Sequence, residues 1–245
     1  MRSNPLKYII ILAVSQILAV SALGQGTFQN LDFEAANPAS TPPGGFVPFP
    51  DAFPSWVGYL GTNGTTNALY NDLYLGAAAI SLLDEDRIRG PLIEGDYTAV
   101  LQPGIVSGNV PIPAAIAQIG LVPSDSLSLR FKVQSASTPL DVAFDGQSLV
   151  LQILFTMPDY VAYGANISAF AGQTAELRFT ALENNYPRGN ILGIDSIVFS
   201  NVPIPEPSSA GLTMLGSLLL VRRLLRRSTC REVNPQPTAW CKPPV

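Results

Sequence analysis

Apolar and polar positions alternate with a period of two in one segment after another between residues 27 and 202. Residues 126–133 are the clearest case: Leu127, Leu129, Phe131 and Val133 alternate with Ser126, Ser128, Arg130 and Lys132. That is the pattern of a strand with one wet face. Residues 174–180 repeat it, with Ala175, Leu177 and Phe179 set against Glu176, Arg178 and Thr180. Leu140, Val142 and Phe144 alternate with Asp141 and Asp145. Asp145-Gly146 then supplies a turn before residues 149–155, which predicts a hairpin. Further strands are expected over residues 68–71, 78–83, 97–101 and 191–200. No segment sustains a 3.6-residue period, although residues 114–119 suit a short helix. Residues 37–54 are rich in Pro and Gly and read as a long loop over the domain edge. Many short strands between Gly, Pro, Asn and Asp clusters predict an all-β fold, a β-sandwich or jelly roll.

The two ends follow different rules. Arg2 and Lys7 precede a mostly apolar run over residues 8–23, and Ala22-Leu23-Gly24 offers small residues for cleavage. Residues 1–24 therefore read as a signal peptide rather than an uncleaved membrane helix. The lack of a Cys directly after the run argues against lipoprotein processing. At the other end, Pro203, Pro205 and Pro207 hold residues 202–207 extended, since each proline fixes φ and pushes its predecessor out of the α region. An apolar stretch over residues 210–221 follows, and then Arg222, Arg223, Arg226 and Arg227. A helix needs about 20 residues to cross the hydrocarbon, but snorkelling arginines relax that length. The arginine cluster should stay cytoplasmic, leaving residues 25–201 outside. Residues 228–245 have no apolar periodicity and read as a disordered tail, or as read-through past a lost stop codon.

Charge sharpens this division. The 245-residue chain carries −4 overall, yet residues 25–205 hold six basic residues against sixteen acidic ones, a net −10. Such a domain repels phosphate backbones, so nucleic acid is excluded as a partner. Histidine is absent, which removes Ser-His-Asp and Cys-His catalysis and every His-ligated zinc site. The cysteines, Cys230 and Cys241, lie in the tail, so the central domain has no disulfide or thiol nucleophile.

Pro205-Glu206-Pro207, the apolar stretch 210–221 and the cluster Arg222, Arg223, Arg226 and Arg227 stand in a specific order. That order resembles the PEP-CTERM sorting signal of Gram-negative surface proteins. The resemblance implies export through signal peptidase and transient anchoring in the inner membrane. It also implies processing near Glu206 by an exosortase, a membrane-embedded protease or transpeptidase. The final location would be the cell surface or extracellular matrix, where exopolysaccharide is a candidate partner. The organisation expected is signal peptide 1–24, ectodomain 25–201, sorting signal with a single transmembrane helix 202–227, and tail 228–245. The run after the arginines departs from the pattern, since such tails usually end soon after the basic cluster.

Asn30-Leu31-Asp32-Phe33-Glu34, the segment 166–179 and Gly193-Ile194-Asp195-Ser196-Ile197 resemble three stretches of carbohydrate-binding jelly rolls. In those domains an early Glu and a late Asp often share a structural calcium, and Glu34 and Asp195 match the two positions. Calcium needs six to eight oxygens, so further carbonyls or carboxylates would have to join them. Asp84-Glu85-Asp86 reads as solvated loop acids. Trp56 and Tyr59, just after the Pro-rich loop, are the first candidates for stacking on a sugar. The expected role is non-catalytic, structural or binding. A carbohydrate-binding module is the alternative, and a glycoside hydrolase running on two carboxylates is a more distant one.

Overall fold

The computed structural model describes residues 27–38, 40–74, 77–106, 110–135, 138–183 and 190–204. Residues 1–24, expected to be a signal peptide, residues 228–245, and the residues expected to carry sorting, Pro205, Glu206, Pro207, Arg222, Arg223, Arg226 and Arg227, lie outside the described residues. Among the described residues no helix is long and apolar enough to cross a membrane.

The alternating segments form two facing sheets. The larger has eight strands, in the order β1 (Phe46–Pro48), β4 (Asn67–Tyr70), β5 (Ala79–Leu83), β6 (Thr98–Gln102), β16 (Leu192–Ser200), β10 (Ser128–Ser135), β14 (Val161–Asn166) and β13 (Gln152–Thr156). The smaller runs β12 (Gln147–Ser148), β11 (Leu140–Phe144), β15 (Thr174–Ala181), β9 (Ala114–Leu121), β2 (Val57–Leu60) and β3 (Asn63–Thr65). A separate hairpin pairs β7 (Gly104–Val106) with β8 (Val110–Ile112). Within the two sheets, β4 and β5 run parallel, and the other described pairs run antiparallel.

Alternation decides which side chains meet between the sheets. Leu129, Phe131 and Val133 of β10 and Leu177 and Phe179 of β15 are buried. Phe131 and Phe179 meet edge-on at 5.1 Å and join the two sheets. Each such ring contributes about 1.5–3 kcal/mol by leaving water. The 27–34 segment closes one end without forming a strand. Thr27 and Gln29 bond to Leu121 and Gln118 of β9, and the Leu31 carbonyl accepts from Ile197 of β16. Phe28, Leu31 and Phe33 are thereby buried as a plug.

Three expectations need correction. Residues 114–119 are not helical: they are the central part of β9, hydrogen-bonded to both β15 and β2. Alanine has high helix propensity, but here Ala115 and Ala117 are the small residues opposite Tyr59 and Arg178. Tertiary pairing overrides the local preference. The hairpin expected after Asp145-Gly146 lasts only two residue pairs, Phe144–Gln147 and Ala143–Ser148. The chain then crosses to the other sheet, where β13 pairs with β14. Residues 37–54 are not all loop. Phe46–Pro48 forms the edge strand β1, and Phe49–Ala52 forms a one-turn helix, α1, with a proline in its first turn and Phe49 buried.

Candidate functional site

Among the described residues, two places bring together polar side chains or ligand-sized space. The first is a carboxylate clamp around residues 94–98. β16 carries a bulge: Arg130 pairs with Val198 and Lys132 with Asp195, so an extra residue is accommodated, and Ser196 takes a φ of 50°. Bulges re-aim side chains. Here Asp195 is only 1% exposed, covered by the segment that leads into β6. Its Oδ2 accepts from the Thr98 hydroxyl at 2.8 Å and from the Glu94 N–H at 3.3 Å, and its Oδ1 accepts from the Ser196 N–H at 2.6 Å. Glu34 reaches the same segment from the N-terminal plug. Its Oε1 accepts from the Asp96 and Tyr97 N–H groups at 3.0 and 3.1 Å, and its Oε2 from Asp96 at 3.1 Å. Glu94 in turn binds Lys132 and the Ser196 hydroxyl.

The structure thus brings the two calcium candidates, Glu34 and Asp195, onto one five-residue segment. All four of their carboxylate oxygens already accept hydrogen bonds from protein donors. Among the described residues no group of three or more acidic, Cys or His side chains is arranged to hold a metal. A six- to eight-oxygen shell would have to be completed by carbonyls or water. Burial pushes the Asp195 carboxyl up to about 7, and the nearby charge of Glu34 adds to that. The hydrogen bonds from Thr98, Ser196 and Glu94 pull the other way. The ammonium of Lys132 and the Ser196 hydroxyl hold Glu94 below the usual carboxylate range. Asp84 is likewise engaged by its own fold, accepting from Tyr70 Oη and from Asn71 Nδ2.

The second place is a cleft of about 330 Å³ at the open edge of the sandwich. Phe46, Leu69, Ile80 and Tyr74 line it from the larger sheet's side, and Leu60 and Thr65 from the smaller sheet, with Asn67 at the crossing between them. Thr65 and Asn67 are tied together, the Thr65 hydroxyl donating to the Asn67 carbonyl at 2.9 Å. Phe46 is 62% exposed and Tyr74 54%. Phe46 is held by the pairing of β1 with β4, opposite Leu69. The Tyr74 backbone is held by its N–H on the buried Gln102 Oε1 at 3.0 Å, which leaves the ring outward. The described lining contains no Asp or Glu.

Trp56 and Tyr59 are elsewhere. Trp56 is 4% exposed, packs against Phe33 and Phe179, and donates from Nε1 to the Asn30 carbonyl at 2.9 Å. It is a core anchor with no ring face open to a sugar. Tyr59 is half-buried on the outer side of the smaller sheet, and the Arg178 guanidinium lies 4.3 Å from its ring centre. Sequence reasoning passed over Phe46 because it sits in the Pro-rich stretch. Nothing local distinguishes an exposed aromatic from a core one.

No family model matches the chain, and no curated protein matches it. A solved structure described as the apo form of a cyclase from Fischerella sp. is similar over 70% of this chain and 93% of that one. Its identity is 13% and its TM-score 0.37, a likeness that carries no argument about activity.

Proposed function

We propose that this chain is an exported envelope protein, sorted through its C-terminal signal, whose β-sandwich serves a non-catalytic structural or binding role at the cell surface. The observation that carries this reading is how the chain is held to the sandwich immediately before the proline motif. The compact unit ends at Ile204, the residue before Pro205-Glu206-Pro207. The Val202 carbonyl accepts from the Ser128 hydroxyl at 2.7 Å and from Arg130 Nη2 at 3.1 Å, and Ile204 is buried. Cutting within the proline motif would leave these contacts of Val202 and Ile204 in place. Glu206 would remain at the outer interface, because a buried carboxylate is costly, and would be available to a polar pocket of the sorting enzyme. The test is fractionation of an epitope-tagged chain in a host with an exosortase. Wild type is released, and Glu206→Ala is inserted but retained. Equal processing of the two would defeat the reading and favour a simple membrane anchor.

The cleft favours a carbohydrate-binding role within that location. Exposed Phe46 and Tyr74 supply stacking faces, and Asn67 and Thr65 supply an amide and a hydroxyl beside them. A two-carboxylate hydrolase would need acids that the described lining lacks. Glycan-array binding by the released protein, lost in Phe46→Ala and Tyr74→Ala, is the expected result. Binding unchanged in both variants would remove the cleft from consideration.

A further inference from the structure

We propose that the outer face of the larger sheet at its β13 end rests on the lipid bilayer while the chain is membrane-inserted. The proposal depends on the sorting reading above. It starts from side chains that the fold leaves uncovered. Register places Val198, Arg130 and Gly164 side by side on the outer face, and Lys132, Ala162 and Phe155 in the next row. A bulge between Ile153 and Phe155 brings Leu154 against Gly164 on the same face. Phe155 is 50% exposed, and Val198, Val202 and Met157 are about equally so. The edge itself adds Ile153 and Val150, both more exposed still. Residues 149–157 contain no charged side chain, although open sheet edges are ordinarily protected by charge or proline.

The chain leaves the domain across this same face. After β16 the Val202 carbonyl lies over Ser128 and Arg130 of β10. Ile204 then lies over Gly164 of β14, beside Leu154 of β13. Only five residues, 205–209, separate Ile204 from the apolar stretch that begins at Ala210. Fully extended, they carry the chain about 20 Å. The headgroup layer takes up several ångströms of that distance. Twelve apolar residues are fewer than the about 20 that a helix needs to cross the hydrocarbon. A short span is accommodated by drawing its flanking segments toward the bilayer. Covalent length therefore keeps the exit face within about 20 Å of the start of that stretch.

Charge separates lipid from a second copy as the occupant. Among the described residues, the charged groups on or next to this face are Arg130, Lys132 with its ion-pair partner Glu94, and Asp159 in the bend between β13 and β14. They balance, so a zwitterionic surface is approached without repulsion. A second copy would bring another domain of net −10 against the first.

The experiment uses the full chain with Cys230→Ser and Cys241→Ser. A single Phe155→Cys or Met157→Cys carries an environment-sensitive fluorophore, and Asn63→Cys on the exposed β3 edge is the control. Each is reconstituted into phosphatidylcholine vesicles, and alkaline carbonate identifies the inserted fraction. The expected result is a blue shift of the labels at 155 and 157, with quenching by lipid spin-labelled near the headgroup. The label at 63 stays water-like. Labels at 155 and 157 that match the one at 63 in carbonate-resistant chains overturn the proposal and leave the sorting reading standing. Failure to insert overturns both. A blue shift in lipid-free protein that grows with concentration, with cross-linking between 155 positions, overturns it in favour of self-association.

Discussion

Replacing Asp195 with Asn tests whether the clamp holds a carboxyl that resists ionisation. In the fold its pKa is pushed up to about 7, mainly by burial, against about 3.9 in an unfolded chain. The sign follows from proton counting. Between about pH 4 and pH 7 the folded chain holds this proton and the unfolded chain does not. Stability from this group is therefore greatest below pH 4 and is lost as pH rises through 7. Each pH unit is worth about 1.4 kcal/mol, so the three-unit interval amounts to about 4 kcal/mol at most. The amide cannot ionise, so Asp195→Asn should remove that slope. The variant also loses a hydrogen bond, because an Asn side chain cannot accept at both of its ends. Its absolute stability at low pH should accordingly fall by about 1–2 kcal/mol. The assay is urea unfolding of wild type and variant at half-unit steps from pH 4 to 8, in chelator. The variant should start below wild type at pH 4 and overtake it by pH 7. Parallel profiles for the two proteins would refute the raised carboxyl and its burial as the cause.

Three further outcomes follow from the packing and the clamp. Trp56→Phe keeps a ring in the core but leaves the Asn30 carbonyl without its 2.9 Å donor. It should cost about 1–2 kcal/mol, read as a lower urea midpoint with unchanged slope. Gly58→Ala places a methyl 2.5 Å from Phe49 Cζ and 2.7 Å from Thr65 Cγ2. The overlap should cost about 1–3 kcal/mol, and a thermal midpoint equal to wild type would contradict the close approach of α1 to β2. Among the described residues no third acidic side chain joins Glu34 and Asp195 to hold a metal, so melting curves in chelator and in millimolar calcium should coincide. A calcium-dependent rise that Glu34→Ala abolishes would instead establish a site there.

Most strands were legible in the sequence because the period-2 pattern is local. Residues 126–133, 140–144, 174–180 and 191–200 carry their own inner and outer faces, and these became β10, β11, β15 and β16. The same locality explains the misreadings. Ala114–Leu121 has no polar face, because its outer positions are Ala115, Ala117, Ile119 and Leu121, so periodicity could not separate strand from helix. The short pairing after Asp145-Gly146 depends on a crossover between sheets, which no turn motif encodes. The one-turn helix and edge strand within residues 37–54 are held by Phe49 and Val47 in the core, not by local propensity.

The same boundary divides the site. The sequence by itself determined the all-β character, the acidic, cysteine-free composition of the central domain and the order of motifs at its ends, because each is written in consecutive residues. Pairing decided the rest. It put Trp56 in the core and Phe46 and Tyr74 outside, although all three are aromatics near turns. It drew Glu34 and Asp195, 161 residues apart in sequence, onto one segment through a β-bulge that only the strand register reveals. Burial is a property of what folds over a residue, and for these side chains the covering groups come from distant parts of the chain.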